Sequence, residues 1–207
     1  VCVEKNMSGA TTVSSTSHIA FQAGIKVFST GGIGGVHRGY NESLDMSQDL
    51  FSLSQTPIVV VCSGVKSFLD VEKTIEALET YGVTTVGYKT DFFPLFYSSS
   101  SKHELQYNFK NTDRLASLYK NNIKNNLKSS ILVLNPVPKN KEIPEEKIKN
   151  IISNAIKKMN KKGVVGKKTT PFLLNEIANK TKNKSLTTNI ELALSNIRVG
   201  AKIAKKL

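Results

Sequence analysis

The chain has 207 residues, 39% of them hydrophobic, with two cysteines and a formal net charge of +13. That length supports one sizeable core, two cysteines exclude a disulfide scaffold, and no apolar run approaches the ~20 residues of a membrane span. The opening VCVEKNMSGATT lacks the basic start and apolar stretch of a secretory leader, so reduced thiols and a cytoplasmic location are expected. Val1 is not a methionine and the sequence opens inside a pattern, so a segment upstream of it is expected.

The charge is unevenly placed. Residues 1–100 carry six Lys/Arg against nine Asp/Glu, and residues 101–207 carry 23 against seven. The excess is lysine mixed with asparagine, as in NNIKNNLK and KKMNKK, while arginine occurs only at Arg38, Arg114 and Arg198. Arginine is the preferred residue for bidentate phosphate and base contacts. The basic half therefore reads as solvated surface, and neither a membrane nor a nucleic acid is expected as partner.

In chain order, residues 11–24 suit a helix with Gly24 as its stop. Residues 25–30 follow as a strand, then the glycine cluster TGGIGGVHRG. Residues 57–62, PIVVVC, are apolar throughout, as in a strand covered on both faces. Residues 67–81 carry apolar positions at helical spacing before the stop at Gly82, and 83–88 form the next strand. Residues 98–115 look polar and irregular. SILVL at 130–134 is a buried strand, and a lysine-rich helix occupies 144–162. Thr170-Pro171 opens a helix with proline first, and a last helix runs from Leu186 to the end. Strands alternating with helices define an α/β fold, a mainly parallel sheet flanked by helices in one domain over residues 1–207. Ligands bind such sheets beyond the carboxyl ends of the strands, so TGGIGGVHRG, SGVKS and NPVP are expected to converge.

The glycine cluster matches neither a dinucleotide fingerprint nor a phosphate-binding Walker loop. Its backbone N–H groups can still line a phosphate or sugar. Lys66 follows a stretch free of charge from Leu50, and a lysine in apolar surroundings has its ammonium form disfavoured. Its free amine can attack a carbonyl and form an imine, though a helix-start lysine reaching into solvent has the same pattern. Asp45 and Asp49, four apart, share one face if helical. With Glu42 they offer a hard divalent cation oxygen ligands, though a plain acidic helix start has the same spacing. The aromatic run TDFFPLFY at 90–97 is either a cover for a ring-shaped ligand or core at a sheet edge. Of the histidines only His37, inside the glycine loop, is a candidate; His18 and His103 have no visible partners.

SGATTV, AGIKVFSTGGIGGVHRG, DMSQDL, PIVVVCSGVKSFLD, TDFFPLFY, NPVP, GKKTTPFLL and SLTTNIELALSN occur in an order and spacing that resembles the pseudouridine-5′-phosphate glycosidases, or indigoidine synthase A-like family. The likeness covers nearly the whole chain and is weakest at 98–129 and 139–168. It implies reversible cleavage of the C–C glycosidic bond of pseudouridine 5′-phosphate to uracil and ribose 5-phosphate, a divalent cation, usually manganese, and a homotrimer. It makes Lys66 the nucleophile and Asp45 the metal residue. It puts Ser47, Gln48 and Asp49 at the substrate, with the backbone near Val13, and Asn189 at the phosphate. Thr12, Thr30 and His37 follow from their place in matching blocks. It also implies a segment before SGATTV holding a glutamate proton donor and a phosphate-binding lysine, neither of which can be placed here. Competing readings are a lysine-imine enzyme on another sugar phosphate, an inactive homologue, and an RNA-binding module using the basic half.

Overall fold

The computed structural model describes residues 1–207 apart from the side chain of Lys167. Five strands form one wholly parallel sheet: β1 (Val27–Ser29), β2 (Val59–Cys62), β3 (Thr84–Tyr88), β4 (Asn108–Phe109) and β5 (Ile131–Leu134). Their order across the sheet is β1-β2-β5-β3-β4. The register pairs Val59 with Ile131 on one side of β5 and Thr84 with Ile131 on the other. The two central strands, VVVC and ILVL, are buried at every position. Their continuous β-branched and leucine runs are what a sheet covered on both faces requires.

Eight helices cover it: α1 (Val13–Gln22), α2 (Tyr40–Ser43), α3 (Gln48–Gln55), α4 (Val71–Thr80), α5 (Thr112–Lys124), α6 (Glu145–Lys161), α7 (Thr169–Lys180) and α8 (Lys184–Ala204). Alternate side chains of each central strand face opposite layers. Val59, Val61, Ile131 and Val133 pack with Leu115 and Tyr119 of α5 and Val199 and Ile203 of α8. Val60, Cys62, Leu132 and Leu134 face Leu78 of α4, Ile148 and Ile152 of α6, and Leu173 and Ile177 of α7, in a larger core that also takes in α1 and α3. The expected α/β/α layering is therefore present.

Several boundaries differ from the sequence reading. The helix expected from residue 67 begins at Val71, because residues 66–70 form a turn whose Asp70 N–H donates to Val36 O of the glycine loop at 2.9 Å. Asp70 then caps α4, its carboxylate accepting from the Lys73 amide at 3.1 Å. Residues 98–115, read as irregular, contain β4 and the start of α5. Pro171 is the third residue of α7 rather than the first, since a short 3-10 turn at Gly166–Lys168 leads into a helix starting at Thr169. No helix among the described residues is long and apolar enough to cross a membrane.

Candidate active site

Because all five strands are parallel, the segments after β1, β2, β3 and β5 emerge at one edge, and they meet there as the sequence pattern predicts. The Ser63 amide donates to Gly31 O at 2.9 Å, the Asn135 amide to Cys62 O at 2.8 Å, and the Phe96 amide to Ser63 O at 3.0 Å. The glycine loop, residues 30–37, is the spine of the assembly. Gly31 faces the Asn189 side chain of α8, whose Oδ1 lies 3.1 Å from where a Cβ would stand on the glycine. Ile33 exchanges backbone hydrogen bonds with the lysine segment: its amide donates to Gly64 O at 3.0 Å, and the Lys66 amide donates to Ile33 O at 3.1 Å. The Ser47 amide donates to Gly35 O at 3.0 Å and the His37 amide to Asp45 O at 3.0 Å.

Over the six backbone steps from Gly31 to His37, at most about 20 Å if extended, the loop thus passes Asn189, then Lys66, then Ser47, then Asp45. Lys66 is half-buried and lies in the turn after β2, with no salt-bridge partner among the described residues. The loop residues that face Asn189 and bond the Lys66 backbone, Gly31 and Ile33, are two positions apart.

Only glycine fits the loop at its closest approach. A Cβ on Gly34 would fall inside the radius of Ser47 Oγ and within 2.9 Å of Asp49 Oδ2. Gly64, in the lysine turn, has φ of +88° and its Cβ would meet Pro94 O.

Asp49 takes a different place from the one its spacing to Asp45 suggests. Ser47 is the N-cap of α3, its hydroxyl accepting from the Asp49 amide at 3.2 Å. Asp45 therefore lies outside the helix, and the two carboxylates do not share a helix face. Asp45 is exposed, with Oδ2 3.7 Å from His37 Nδ1. Asp49 is 4% exposed and turned inward. Its two oxygens accept from the Ser14 amide at 3.0 Å and the Gly34 amide at 2.8 Å. It cannot join Asp45 around a cation. No group of three or more His, Cys, Asp and Glu suited to a metal occurs among the described residues. Glu42 sits in the exposed turn of α2.

The remaining candidates sort by burial. Val13 is core, and it is the amide after it that reaches Asp49. Thr12 is the exposed residue preceding α1, Gln48 is exposed at the start of α3, and Thr30 is half-buried with its amide donating to Val61 O at 3.0 Å. The aromatic run is core: Phe93, Phe96 and Tyr97 are buried, and Phe96 packs its ring on Gly31 and Gly32. An apolar cleft of about 330 Å³ lined by Ile75, Leu78, Phe93, Leu105 and Tyr107 touches the aromatic run at Phe93 but contains none of the polar candidates.

Sequence reading missed a buried polar cluster of Ser63, Asn135 and Asn196 beneath the loop. The signal was present: Leu192, Asn196, Val199 and Ile203 lie at one helical spacing on the buried stripe of α8, and an asparagine there needs partners. Beside this cluster, burial pushes the Cys62 thiol up to about 12. The native protein is therefore expected to expose one reactive thiol, Cys2, to an alkylating reagent at pH 8, and two in denaturant. Mass spectrometry of the labelled protein checks this, and rapid native labelling of Cys62 contradicts it. Because the folded value is raised, the unfolded state deprotonates first. This thiol's contribution to stability is complete below pH 9 and is lost as pH rises from there toward 12.

The strand-end loops of this parallel α/β sheet gather a lysine, an amide side chain and a glycine-rich backbone at the carboxyl edge, the edge at which α/β sheets bind their ligands. The family profile described as indigoidine synthase A like protein matches residues 1–206, and the chain belongs to this family. Among curated relatives, pseudouridine-5′-phosphate glycosidase of Alkaliphilus metalliredigens is 48% identical over 99% of this chain, and that of Thermosipho africanus is 46% identical over 97%. In both cases 67% of the relative is covered, so the chain spans about two thirds of their length. Among solved structures, an indigoidine synthase A-like protein of Thermotoga maritima superposes with a TM-score of 0.87 at 38% identity, over 95% of this chain and 64% of that one. The prealnumycin C-glycosynthase AlnA, in complex with ribulose 5-phosphate, gives 0.89 at 33% identity, over 96% and 66%.

Proposed function

We propose that the chain acts as a pseudouridine-5′-phosphate glycosidase, with Lys66 as the residue that becomes covalently attached to the sugar. The observation that carries this is the set of curated glycosidases 44–48% identical over nearly the whole chain. It is supported by the position of Lys66 between Asn189 and Ser47 on the glycine loop. An ordinary glycosidase protonates an oxygen or nitrogen leaving group, whereas a carbon leaving group needs an electron sink. Lys66 Nζ bonds to C1′ as the C1′–O4′ bond breaks and O4′ takes the amine proton, so that in the open-chain adduct C1′ carries both Lys66 Nζ and uracil C5. The nitrogen lone pair forms C=N as the C1′–C5 bond breaks, and the bonding pair goes to C5, which takes a proton. Water then hydrolyses the imine, returning the amine and releasing ribose 5-phosphate. The resemblance assigns the proton donor to a glutamate that cannot be placed among residues 1–207.

In this reading Asn189 holds the phosphate, and Ser47, Gln48, Thr12, Thr30 and His37 border the sugar and base. Val13 and Asp49 contribute through the backbone they fix. A manganese ion would be held by Asp45, whose exposed carboxylate lies beside His37 of the loop, with water and substrate oxygens completing a hard cation's shell. Bound there, it would supply positive charge beside the substrate. Asp45→Ala is expected to abolish any manganese dependence of turnover while leaving the melting temperature unchanged, and an unaltered metal titration would remove Asp45 from the site. The assembly is proposed as a homotrimer in the cytoplasm. An exposed aliphatic stripe on α8, Leu186, Ile190, Leu194 and Ile197, supports association between chains.

The deciding experiment supplies uracil and ribose 5-phosphate to the full chain with manganese and follows formation of pseudouridine 5′-phosphate. Product from ribose 5-phosphate but not from other pentose phosphates supports the assignment. Turnover only with a different sugar phosphate supports the competing lysine-imine reading.

A further inference from the structure

Asn196 of α8 is fully buried and touches three of the loops that form the carboxyl edge. Its Nδ2 donates to Thr30 O at 2.8 Å, with a longer approach to Gly31 O at 3.4 Å, and to Ser63 Oγ at 3.1 Å. Its Oδ1 accepts from Asn135 Nδ2 at 2.8 Å. The Ser63 hydroxyl in turn donates to Asn135 O at 2.8 Å, and Asn135 Nδ2 also reaches Ser195 Oγ at 3.0 Å. Carbonyl oxygens accept only, so the group facing Thr30 O must be the NH2, and the amide has one satisfiable orientation. In that orientation both amide protons and the oxygen are used.

We infer that Asn196 is a positioning residue for the reaction, a clamp that sets the separation between the glycine loop and the Lys66 turn. This rests on the proposed role of Lys66. The chain of contacts is short: Asn196 fixes Thr30, Gly31 and Ser63. Gly31 faces Asn189, and Ser63 stands three residues before Lys66, whose amide is tied back to Ile33. A side chain from the helix that carries Asn189 thereby governs where Nζ stands relative to C1′. Asn196 touches no substrate atom in this scheme. Asparagine serves here because it alone presents two donors and an acceptor at this reach. Leucine would leave Thr30 O without its side-chain donor and one proton of Asn135 Nδ2 without an acceptor, and aspartate would turn a carboxylate onto a carbonyl.

The test compares Asn196→Ala with Ser130→Ala in the full chain. Ser130 is equally buried, but its hydroxyl donates to Thr56 O at the amino end of the sheet, 2.6 Å away. Two quantities are read on folded protein well below the melting transition. One is the rate of borohydride-trapped adduct formation with ribose 5-phosphate. The other is amide exchange at Ile33, Ser63 and Lys66. Asn196→Ala is expected to slow trapping by about 100-fold, the scale of an ångström-level misplacement, and to speed exchange at those amides at least about tenfold. Ser130→Ala is expected to change neither, whatever it does to the melting temperature. Unchanged exchange at the three amides in Asn196→Ala overturns the clamp, as does an equal loss of trapping in Ser130→Ala. If the unsubstituted chain traps no sugar, the reading of Lys66 fails, and the exchange comparison alone decides whether the clamp exists.

Discussion

Lys66→Ala is expected to reduce turnover by more than about 10⁴-fold, the scale of deleting a covalent nucleophile, with little effect on stability. The lysine is half-buried and its side chain is in no ion pair among the described residues. Its structural contribution is the backbone bond to Ile33, which alanine keeps. The same substitution is expected to abolish the borohydride-trapped adduct with ribose 5-phosphate, located by peptide mass mapping. An adduct on another lysine, or activity within tenfold of the unsubstituted chain, would remove the imine from Lys66. Lys66→Arg should be equally inactive, because a guanidinium stays protonated and cannot serve as a free amine.

Asp49→Ala is expected to act in the opposite way, chiefly on stability. The N-terminus of α1 has no cap from its own Thr12 side chain, so the Ser14 amide is one of the orphan donors of a helix start. Asp49 supplies the missing acceptor from a different helix, and its second oxygen holds Gly34. Deleting the carboxylate leaves two backbone donors short of partners in a buried place. The expected cost is about 3 kcal/mol, which in a domain of this size lowers the melting temperature by roughly 6–12 °C. Asp49→Asn is expected to recover only part of this, since one amide position must present N–H to a backbone N–H. Thermal unfolding of the three proteins gives the order, and an unshifted midpoint for Asp49→Ala would show that the bonds carry no net stability.

Much of this arrangement was legible because it depends on local pattern. PIVVVC and SILVL announce buried parallel strands, and parallel strands send their loops to one edge. The convergence of TGGIGGVHRG, SGVKS and NPVP follows from that alone. What escaped depends on partners distant in sequence. The turn at residues 66–70 scans as helix, yet Asp70 pairs with Val36, and this tertiary bond delays the helix until Val71. The spacing of Asp45 and Asp49 scans as one acidic face, yet Ser47 begins the helix between them and sends one carboxylate outward and the other in. The helix from Thr112 was missed because its apolar stripe is narrow, Leu115, Ala116 and Tyr119 within a polar run. The resemblance supplied roles for Lys66, Asp45 and Asn189. The geometry supplied what holds them, Asp49 and Asn196, whose side chains serve the backbone of the loop.

The strand order carries a consequence for how the chain acquires its shape. β2 and β3 follow one another in sequence but are not neighbours, because β5 lies between them and pairs with both. Until residues 131–134 arrive, β2 and β3 each present an unpaired apolar edge. On a ribosome adding ~5–20 residues per second, that exposure lasts a few seconds. Insertion of β5 is also what brings Asn135 to Ser63, and the polar cluster beneath the glycine loop closes once α8 adds Asn196 to them. Refolding of such long-range parallel pairings is slow. Recovery of sugar binding after dilution from denaturant should track burial of the central strand, with no earlier phase in which a competent site exists.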